Sequence, residues 1–466
     1  MNPGLPLMIV LFALVPCRLC YAQAATAGST EEPNSPSVSA PVSADETAVS
    51  ETASPESWSL HGQLTNVTQY HPSFPSAFHG QNSLNSRDRT AETLDLTLFA
   101  GVRLWQGAEV YVNPELDQGF GLSNTLGVAG FPSAEDYKVG AYTPYGRIQR
   151  LFLRQVIDLG GVEQTVEPAA NQLGGSHTAD NVILSAGKFS VVDVFDTNSY
   201  AHDPRADFLN WAIVEAGAFD YAADAWGYTY GASAEWTQDW WTVRGGLFDL
   251  SVIPNGRRLE QDFSEYAAIG ELEERHELLG RPGKLKLLGF IDRGRMANYS
   301  DAVRLGQQTG TTPDVALVRH YGSKPGIALN FEQEITPDVG AFARASMNDG
   351  DKEAYEFTEI NRSVSGGLSV KGNEWNRPDD TFCVAGAINA LSDAARTYFA
   401  AGGLGILIGD GQLPHYGLEK IAEVFYSWQI AKPFAVSADY QYVTNPAYNR
   451  DRGPVSVFGL RVHGEF

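Results

Sequence analysis

Apolar and polar residues alternate one by one along many short segments of this chain. From residue 226 to residue 236, the even positions carry Trp, Tyr or Ala, whereas the odd positions carry Gly, Thr, Ser or Glu. After a short predicted turn at 237–240, the alternation resumes and continues to Leu247. A repeat of two residues is typical of a β-strand with one apolar face and one polar face. The pattern therefore predicts an all-β fold.

About sixteen strands are predicted from such segments. We expect them to start near residues 58, 93, 108, 147, 182, 226, 241, 265, 285, 325, 339, 362, 381, 420, 434 and 455. The connections between them mostly alternate between short turns, at 105–107, 237–240, 280–283, 336–338 and 431–433, and long loops, at 71–92, 116–146, 191–225, 294–323 and 390–419. The connection at 160–180 is an exception, because it is long and yet falls at the short-turn end.

An even number of antiparallel strands, with short turns at one end and long loops at the other, is typical of a transmembrane β-barrel. No run of 18 or more apolar residues follows residue 24, which excludes a transmembrane helix. The mean hydropathy of −0.21 agrees with a barrel, because only the outer face of a barrel must be apolar. With the amino terminus inside, the long loops are predicted to be extracellular. Aromatic residues that suit the membrane interfaces are Trp105, Trp226, Trp236, Trp241, Trp428, Tyr440 and Tyr442.

The amino-terminal residues 1–24 have the pattern of a secretory signal peptide. Leu5–Val15 is almost wholly apolar, and small residues follow near the end of the segment. Residues 25–57 are rich in Ala, Ser, Pro and acidic residues and contain no aromatic residue, so we expect a disordered linker. A tether to peptidoglycan or to a partner is the alternative for this linker. The barrel is assigned to residues 58–466, and its single Cys383 cannot form an internal disulfide.

The long connection at 191–225 carries an unusual mixture of side chains. It holds seven carboxylates, one basic residue and six aromatic residues. Such a mixture is suited to hydrogen-bonding and stacking on a polar, ring-shaped solute. Because a barrel of about sixteen strands has a wide lumen, we expect this loop to fold inward and to narrow it as a constriction loop. An irregular connection with a short helix at 208–216 is the alternative.

The sequence contains no motif for nucleophilic, zinc-dependent or nucleotide-dependent catalysis. We therefore expect no enzyme activity, no cofactor and no metal site. The turn Asn348–Asp351 has a calcium-like composition, but an Asp-Gly turn needs no metal. The formal net charge of −23 opposes binding of nucleic acid and selectivity for anions. Acidic outer loops also suit divalent cations that bridge lipopolysaccharide.

Five further segments of the chain are distinctive: NPELDQGFGLS (113–123), RLFLRQ (150–155), GKFSVVDVFDTNSYAHDPRADFLNW (187–211), GAFDYAADAWGYTYG (217–231) and NPAYNRDRGPVSVFGLR (445–461). Together they resemble the carbohydrate-selective porin family of the OprB type. The resemblance implies a sixteen-stranded barrel in the bacterial outer membrane that lets glucose and related sugars diffuse into the periplasm. The implied partners are small carbohydrates, the lipid bilayer and lipopolysaccharide, with a homotrimer as one allowed assembly. A general or cation-preferring porin for other small solutes is the alternative, and a barrel enzyme or a soluble β-rich lectin is a third hypothesis.

The candidate pore-lining and sugar-binding residues come from the long loop and from the wall that would face it. Each hydroxyl group that leaves water needs a protein partner, and carboxylate and guanidinium groups supply such partners. Binding must stay weak, since the solute has to leave. A turn cap or an exposed ion pair is the alternative role for each residue. The candidates are Glu109, Glu115, Asp117, Arg150, Arg154, Lys188, Asp193, Asp196, Asp203, Arg205, Asp207 and Trp211.

The last predicted strand is amphipathic and ends on Phe466. It resembles the carboxy-terminal insertion signal of outer-membrane barrels, in which the assembly machinery binds the terminal Phe. Replacing Phe466 with Asp is therefore expected to leave secretion intact and to reduce the amount of assembled barrel. Heat-modifiable migration on gels measures assembly, and wild-type assembly of this variant would show that the terminal residue is not recognised.

Overall fold

The computed structural model describes residues 55–136 and 138–466. The predicted signal peptide (1–24) and all of the predicted linker except residues 55–57 lie outside them. Among the described residues, sixteen antiparallel strands form one closed barrel, which confirms the predicted fold class. The strands are β1 (Trp58–His71), β2 (Arg89–Trp105), β3 (Ala108–Gly119), β4 (Ala141–Val166), β5 (Gly175–Phe189), β6 (Thr229–Gln238), β7 (Trp241–Asp249), β8 (Tyr266–Leu278), β9 (Arg281–Met296), β10 (His320–Thr336), β11 (Val339–Asn348), β12 (Arg362–Gly372), β13 (Arg377–Ala390), β14 (Glu419–Ala431), β15 (Phe434–Thr444) and β16 (Val455–Glu465).

The first and last strands close the barrel. Residues 63–70 of β1 pair with residues 458–465 of β16. The N–H of Gly62 donates to the carbonyl of Phe466 over 2.8 Å, and the N–H of Phe466 donates to the carbonyl of Gly62 over 2.9 Å. A β-carbon on Gly62 would lie 2.4 Å from the Phe466 ring, so glycine leaves the room that this ring needs. Closure removes the two edges that an open sheet would have.

Short turns join the strands at one end of the barrel and long loops join them at the other, as the sequence predicts. We call these the turn end and the loop end. Three shorter loops at the loop end, at 250–265, 349–361 and 445–454, are not among the predicted long loops. The turns lie at 106–107, 167–174, 239–240, 279–280, 337–338, 373–376 and 432–433, and the other loops lie at 72–88, 120–140, 190–228, 297–319 and 391–418.

The long connection expected at 160–180 is mostly strand. β4 continues to Val166 and β5 begins at Gly175, so that only residues 167–174 connect them. The pairing register shifts at Gly160, which has a φ angle of 123°, and Gly161 follows with a φ angle of 88°. This part of the hairpin extends past the neighbouring strands and has water on both faces, so it lacks the alternation that identifies a strand with one buried face.

Three α-helices lie in the described loops. They are α1 (Trp211–Val214), α2 (Tyr299–Thr309) and α3 (Asp393–Ala400). The helix expected as an alternative at 208–216 therefore exists as the single turn α1, whose amino terminus is capped by the side chain of Asn210, which accepts from the N–H of Ala212 over 3.0 Å. Across the described residues, no helix is long and apolar enough to span a bilayer.

The apolar positions of the alternating segments face outward. On β6, the outer positions are exposed and the positions between them point inward, where Ser233 is buried. An outer wall of this kind presents its apolar side chains to lipid, while the strands satisfy one another's backbone groups. The outward residues of β6 are Tyr230, Ala232, Ala234 and Trp236.

Trp226 and Tyr228 do not belong to this outer face, although the alternation placed them there. β6 begins at Thr229, and the two aromatic residues lie in the last turn of the preceding loop. The Asp224 carboxylate accepts from the N–H of Trp226 over 2.9 Å and from the N–H of Tyr228 over 3.3 Å. This cap turns both side chains into the barrel, where Tyr228 is buried.

Exposed aromatic residues form a belt at each end of the outer wall. Between Trp58 and Tyr70 on β1, the belts are separated by roughly 30 Å for a strand tilted by about 40°, which suits the apolar band of an outer-membrane barrel. The exposed belt residues are Trp58, Trp105, Trp236, Trp240, Trp375 and Trp428 at the turn end, and Tyr70, Tyr230, Tyr321, Tyr442 and Phe458 at the loop end.

Residues 190–228, which we call the pore loop, lie inside the barrel, as expected for a constriction loop. Wall glutamates that face inward accept hydrogen bonds from its backbone. Glu271 accepts from the N–H of Asp196 over 2.9 Å, and Glu332 accepts from the N–H of Ser199 over 2.7 Å. Glu423 accepts from two consecutive N–H groups, those of residues 209 and 210, over 2.6 and 3.1 Å. Charged wall side chains thus provide partners that a loop without strand neighbours would otherwise lack.

Two wall arginines bind the carbonyl groups of the pore loop. Arg344 donates to the carbonyls of residues 196, 201 and 213 and pairs with the Asp196 carboxylate at 3.1 Å. Arg461 donates to the carbonyls of residues 204, 206 and 207. Both side chains are buried, so the pore loop is fixed to two separate strands of the wall, β11 and β16, by groups that have no water to replace these bonds.

The outward alternation on β6 can be tested by placing Arg on either face of the wall. Ala232→Arg and Ala234→Arg face lipid and are expected to cost about 2 to 4 kcal/mol near the midplane. Ser369→Arg faces the open lumen at the turn end and is the control that should cost little. Equilibrium unfolding in lipid vesicles measures the three costs, and equal costs would contradict this register.

The buried ion pair of Arg344 and Asp196 is expected to restrain the motion of the pore loop within the lumen. Arg344→Met leaves the Asp196 charge buried and unpaired, which typically costs about 3 to 5 kcal/mol. We expect noisier open-channel current and a lower midpoint in heat-modifiability assays. Arg396→Met, in the exposed helix α3, is the control, and quiet wild-type current in Arg344→Met would show that the pair does not restrain the loop.

Candidate permeation site

Two chambers of the lumen meet at the pore loop. The loop-end chamber has a volume of about 200 Å³ and is lined by the pore loop, by the loop at 120–140 and by Phe357. The turn-end chamber has a volume of about 590 Å³ and lies between the pore loop and β10 to β16. Of the residues that the structure describes, only Arg205 lines both chambers. We therefore place the constriction at Arg205.

Arg205 extends from the pore loop to three carboxylates, those of Asp95 on β2, Glu115 on β3 and Glu135 in the loop at 120–140. Its guanidinium lies 3.0 Å from Glu135, 3.6 Å from Asp95 and 3.9 Å from Glu115. Burial disfavours the charged form of Arg205, but these carboxylates raise its pKa well above the ordinary value, so it stays charged. Burial is also the main reason why the pKa of Glu135 is raised. The constriction is thus a cation facing acids from β2, β3 and the loop at 120–140.

The turn around Arg205 is shaped by its neighbours Asp203 and Asp207. Asp203 accepts from the N–H of Arg205 over 2.9 Å, and Asp207 accepts from the N–H groups of His202 and Asp203 over 2.9 and 3.1 Å. Burial raises the pKa of Asp207 to about 6. Burial acts in the same direction on Asp203, but Arg205 and its N–H group lower the pKa of that carboxyl overall. Asp203 lines the loop-end chamber and Asp207 lines the turn-end chamber.

Most of the other acids of the pore loop are paired with cations of the wall. These carboxylates hold the loop in place rather than presenting free charge to a solute. Sequence analysis could count the acids but could not show their partners, which lie on distant strands. The pairs are Asp193 with Arg150 (2.6 Å), Asp196 with Arg344 (3.1 Å), Asp220 with Lys324 (2.7 Å) and Asp224 with Arg147 (2.9 Å).

The wall candidates divide into two groups by depth. Glu115 lies 3.9 Å from Arg205 at the constriction and Arg150 lines the loop-end chamber, whereas Asp117 and Lys188 bond to neighbouring residues of β4. Glu115 accepts from Thr97 over 2.5 Å and from Gln149 over 3.0 Å, and Asp117 accepts from Gln149 over 3.4 Å. Lys188 donates to the carbonyl of Ile148 over 3.1 Å and lies 3.5 Å from Asp224.

Glu109 and Arg154 lie nearer the turn end and contact other groups. Glu109 pairs with Arg103 at 3.0 Å and accepts from Tyr111 over 2.6 Å. Arg154 donates to the carbonyl of Asn171 over 3.3 Å. The structure does not bring these two residues to the constriction.

The aromatic surface of the loop-end chamber differs from the one expected. Trp211 is stacked between Phe131 and Phe357, with ring centroids 5.1 and 4.6 Å away, so both of its faces are covered. Trp226, by contrast, lines the chamber with the Arg147 guanidinium 3.5 Å above its ring. Sequence analysis missed Trp226 as a lining residue, because its alternation with Tyr228 suggested an outward face.

Six polar groups that line the loop-end chamber each have an atom with no hydrogen-bond partner among the described residues. They are Nζ of Lys138, Nε1 of Trp211, Nδ1 of His202, Nε of Arg205, Oε2 of Glu215 and Oδ2 of Asp136. Burial and the neighbouring Glu135 raise the pKa of Asp136 to about 8, and burial also raises the pKa of Glu215. At neutral pH the Asp136 carboxyl is therefore largely protonated, so it can donate as well as accept. Unsatisfied donors and acceptors suit a solute that carries several hydroxyl groups.

Comparison with known proteins assigns the chain to a family. The model of the carbohydrate-selective porin family, OprB, matches residues 81–466. No curated protein matches in sequence. The chain resembles the high-pH structure of Pseudomonas putida OprB with a TM-score of 0.66 at 16% identity, covering 88% of this chain and 94% of that one. The low-pH structure of the same protein gives 0.48 at 12% identity, covering 88% and 93%.

A further similar structure is the outer-membrane channel DcaP of Acinetobacter baumannii, with a TM-score of 0.48 at 12% identity, covering 88% of this chain and 97% of that one. The match to the family model extends over most of the barrel, including the pore loop and the constriction. The chain therefore belongs to the carbohydrate-selective porin family, OprB, and is a channel of the bacterial outer membrane.

Proposed function

We propose that this channel lets neutral, glucose-like sugars diffuse into the periplasm, entering at the loop end and leaving at the turn end. The observation that carries the proposal is the position of Arg205, which lines both chambers and faces three carboxylates. A solute that passes must contact this cluster. A planar guanidinium and several carboxylates can exchange hydrogen bonds with successive hydroxyl groups, so that no step leaves a hydroxyl without a partner.

The loop-end chamber supplies the contacts that would orient a sugar before the constriction. Trp226 offers an aromatic surface, Asp136 offers a carboxyl group that both donates and accepts, and Glu215 offers an unpartnered carboxyl oxygen. Trp211 contributes its indole N–H rather than a ring face. These groups are individually weak partners, and weak binding at several points is what a diffusion channel needs.

A general or cation-preferring porin is the second candidate, and the net charge of −23 favours it. The net charge of the chain overstates the free negative charge that a solute meets in the lumen. Asp193, Asp220 and Asp224 are paired with wall cations, and burial raises the pKa of Asp136 to about 8, so that this carboxyl is largely protonated at neutral pH. Little free negative charge therefore remains in the loop-end chamber at neutral pH, which supports the sugar channel over the cation channel.

Replacing Arg205 tests the constriction directly. Arg205→Ala removes both the obstruction and its charged hydrogen bonds, so we expect a higher single-channel conductance. Loss of one charged hydrogen bond, worth about 1.5 kcal/mol, would weaken the block of ion current by glucose about tenfold. Arg205→Lys should lie between the two, and Arg304→Ala, in the exposed helix α2, is the control. Wild-type conductance and glucose block in Arg205→Ala would place recognition elsewhere.

The raised pKa of Asp136 predicts a change of ion preference with pH. The carboxyl is neutral below about pH 8 and negative above it, so raising the pH from 7 to 9 adds negative charge to the loop-end chamber. Cation preference, measured as reversal potential across a planar bilayer with a salt gradient, should therefore increase. Asp136→Asn should remove this increase, and an unchanged increase in that variant would assign the titration to other groups.

A further inference from the structure

β4 and β5 continue past the wall of the barrel as a free hairpin. The last residue of β4 that pairs with β3 is Gln155, and the first residue of β5 that pairs with β6 is Asn181. Beyond these positions the two strands pair only with each other, as far as Val166 and Gly175. The turn at 167–174, which we call the hairpin tip, therefore has no strand neighbour that fixes its position.

The hairpin tip folds back into the lumen. The hydroxyl of Tyr111 accepts from the N–H of Leu173 over 3.0 Å, and the side chain of Asn113 donates to that of Asn171 over 2.8 Å. Tyr111 and Asn113 are inward-facing residues of β3, because they alternate with exposed or half-buried outer positions and are themselves buried. Leu173 is buried as well. The tip thus lies against the inner wall and not in the space outside the barrel.

The base of the tip is fastened at the rim of the barrel. Arg103, which faces inward from β2, donates to the carbonyls of Glu56 and Gly174 over 2.8 and 3.1 Å. Glu56 and Gly174 also bond to each other, from the N–H of Glu56 over 3.0 Å and from the N–H of Gly174 over 2.8 Å. With the contact of Arg154 to Asn171, three charged residues, Glu56, Arg103 and Arg154, hold the tip.

The tip reaches almost to the constriction. On β3, Glu115 lies two residues beyond Asn113, which is about 7 Å along a strand, and Glu115 is one of the carboxylates that faces Arg205. The tip therefore lies in the lumen below the constriction on the side of β2 to β4, where a cavity of about 370 Å³ remains between it and the wall. The turn-end chamber is formed by the pore loop and by β10 to β16, on the other side.

We propose that the hairpin tip is a second constriction, which closes one side of the turn-end half of the pore and directs solutes into the turn-end chamber. The pore loop narrows the lumen from the loop end and the tip narrows it from the turn end. Two narrow sections in series add their resistances, so each limits the current independently. The inference uses only the channel function and does not depend on which solute passes.

Shortening the tip tests this proposal. Replacing residues 167–174 with an Asn-Gly turn, which suits a two-residue hairpin, should raise single-channel conductance while the glucose dissociation constant for current block stays at its wild-type value. Leu279→Ser, at an exposed turn of the same end, is the control and should leave both values unchanged. Wild-type conductance in the shortened protein overturns the proposal. A change in the glucose dissociation constant of the shortened protein would also contradict the proposal. Failure of the sugar proposal alone would appear in the Arg205→Ala variant and not in this one.

A second variant keeps the test decisive if the shortened protein does not assemble. In a Cys383→Ser background, Asn113→Cys and Asn171→Cys should form a disulfide on mild oxidation, because their side chains are in contact within the lumen. The cross-linked channel should conduct like the reduced channel, since the tip is already in place. Failure of the two cysteines to cross-link in an assembled barrel, or a fall in conductance on cross-linking, would show that the tip lies outside the pore.

Discussion

A loop inside a barrel has no neighbouring strand to satisfy its backbone, and the architecture of this pore depends on how that need is met. A buried N–H or carbonyl without a partner costs about 1 to 3 kcal/mol. Here, inward-facing side chains of the wall provide the partners, as Glu423 does for consecutive N–H groups and Arg461 does for three carbonyls. Because the wall binds the backbone of the pore loop, the side chain of Arg205 is left to extend into the lumen toward the carboxylates of β2 and β3.

The charge of the protein as a whole is a poor guide to the charge met by a solute. The chain is strongly acidic, yet its pore loop uses most of its carboxylates to bind wall cations, as Asp220 binds Lys324 at 2.7 Å. Where a carboxyl has no cation, burial raises its pKa and suppresses its charge, as at Asp136. Both effects convert an acidic sequence into a lumen with balanced charge, which suits uncharged polar solutes.

The sequence predicts the wall of this protein better than its interior. Alternation within one strand depends only on residues two positions apart, so strand number, turn positions and the outward face of β6 follow from local pattern. The interior is made by contacts between residues far apart in the chain, such as Asp196 with Arg344. Local pattern also failed at Trp226, where a capped turn imitates the start of a strand, and at the β4–β5 hairpin, where water on both faces removes the alternation.

The distribution of the aromatic belts has an optical consequence. Of the nine tryptophans in the chain, seven lie at the turn end and only Trp211 and Trp226 lie beside the pore. A quencher dissolved in the lipid would quench the fluorescence of the tryptophans in the belt. The emission of Trp211 and Trp226 would remain. The protein thus carries a built-in fluorescent reporter of its own lumen, in which Trp226, beneath a guanidinium, would sense an arriving solute without any label.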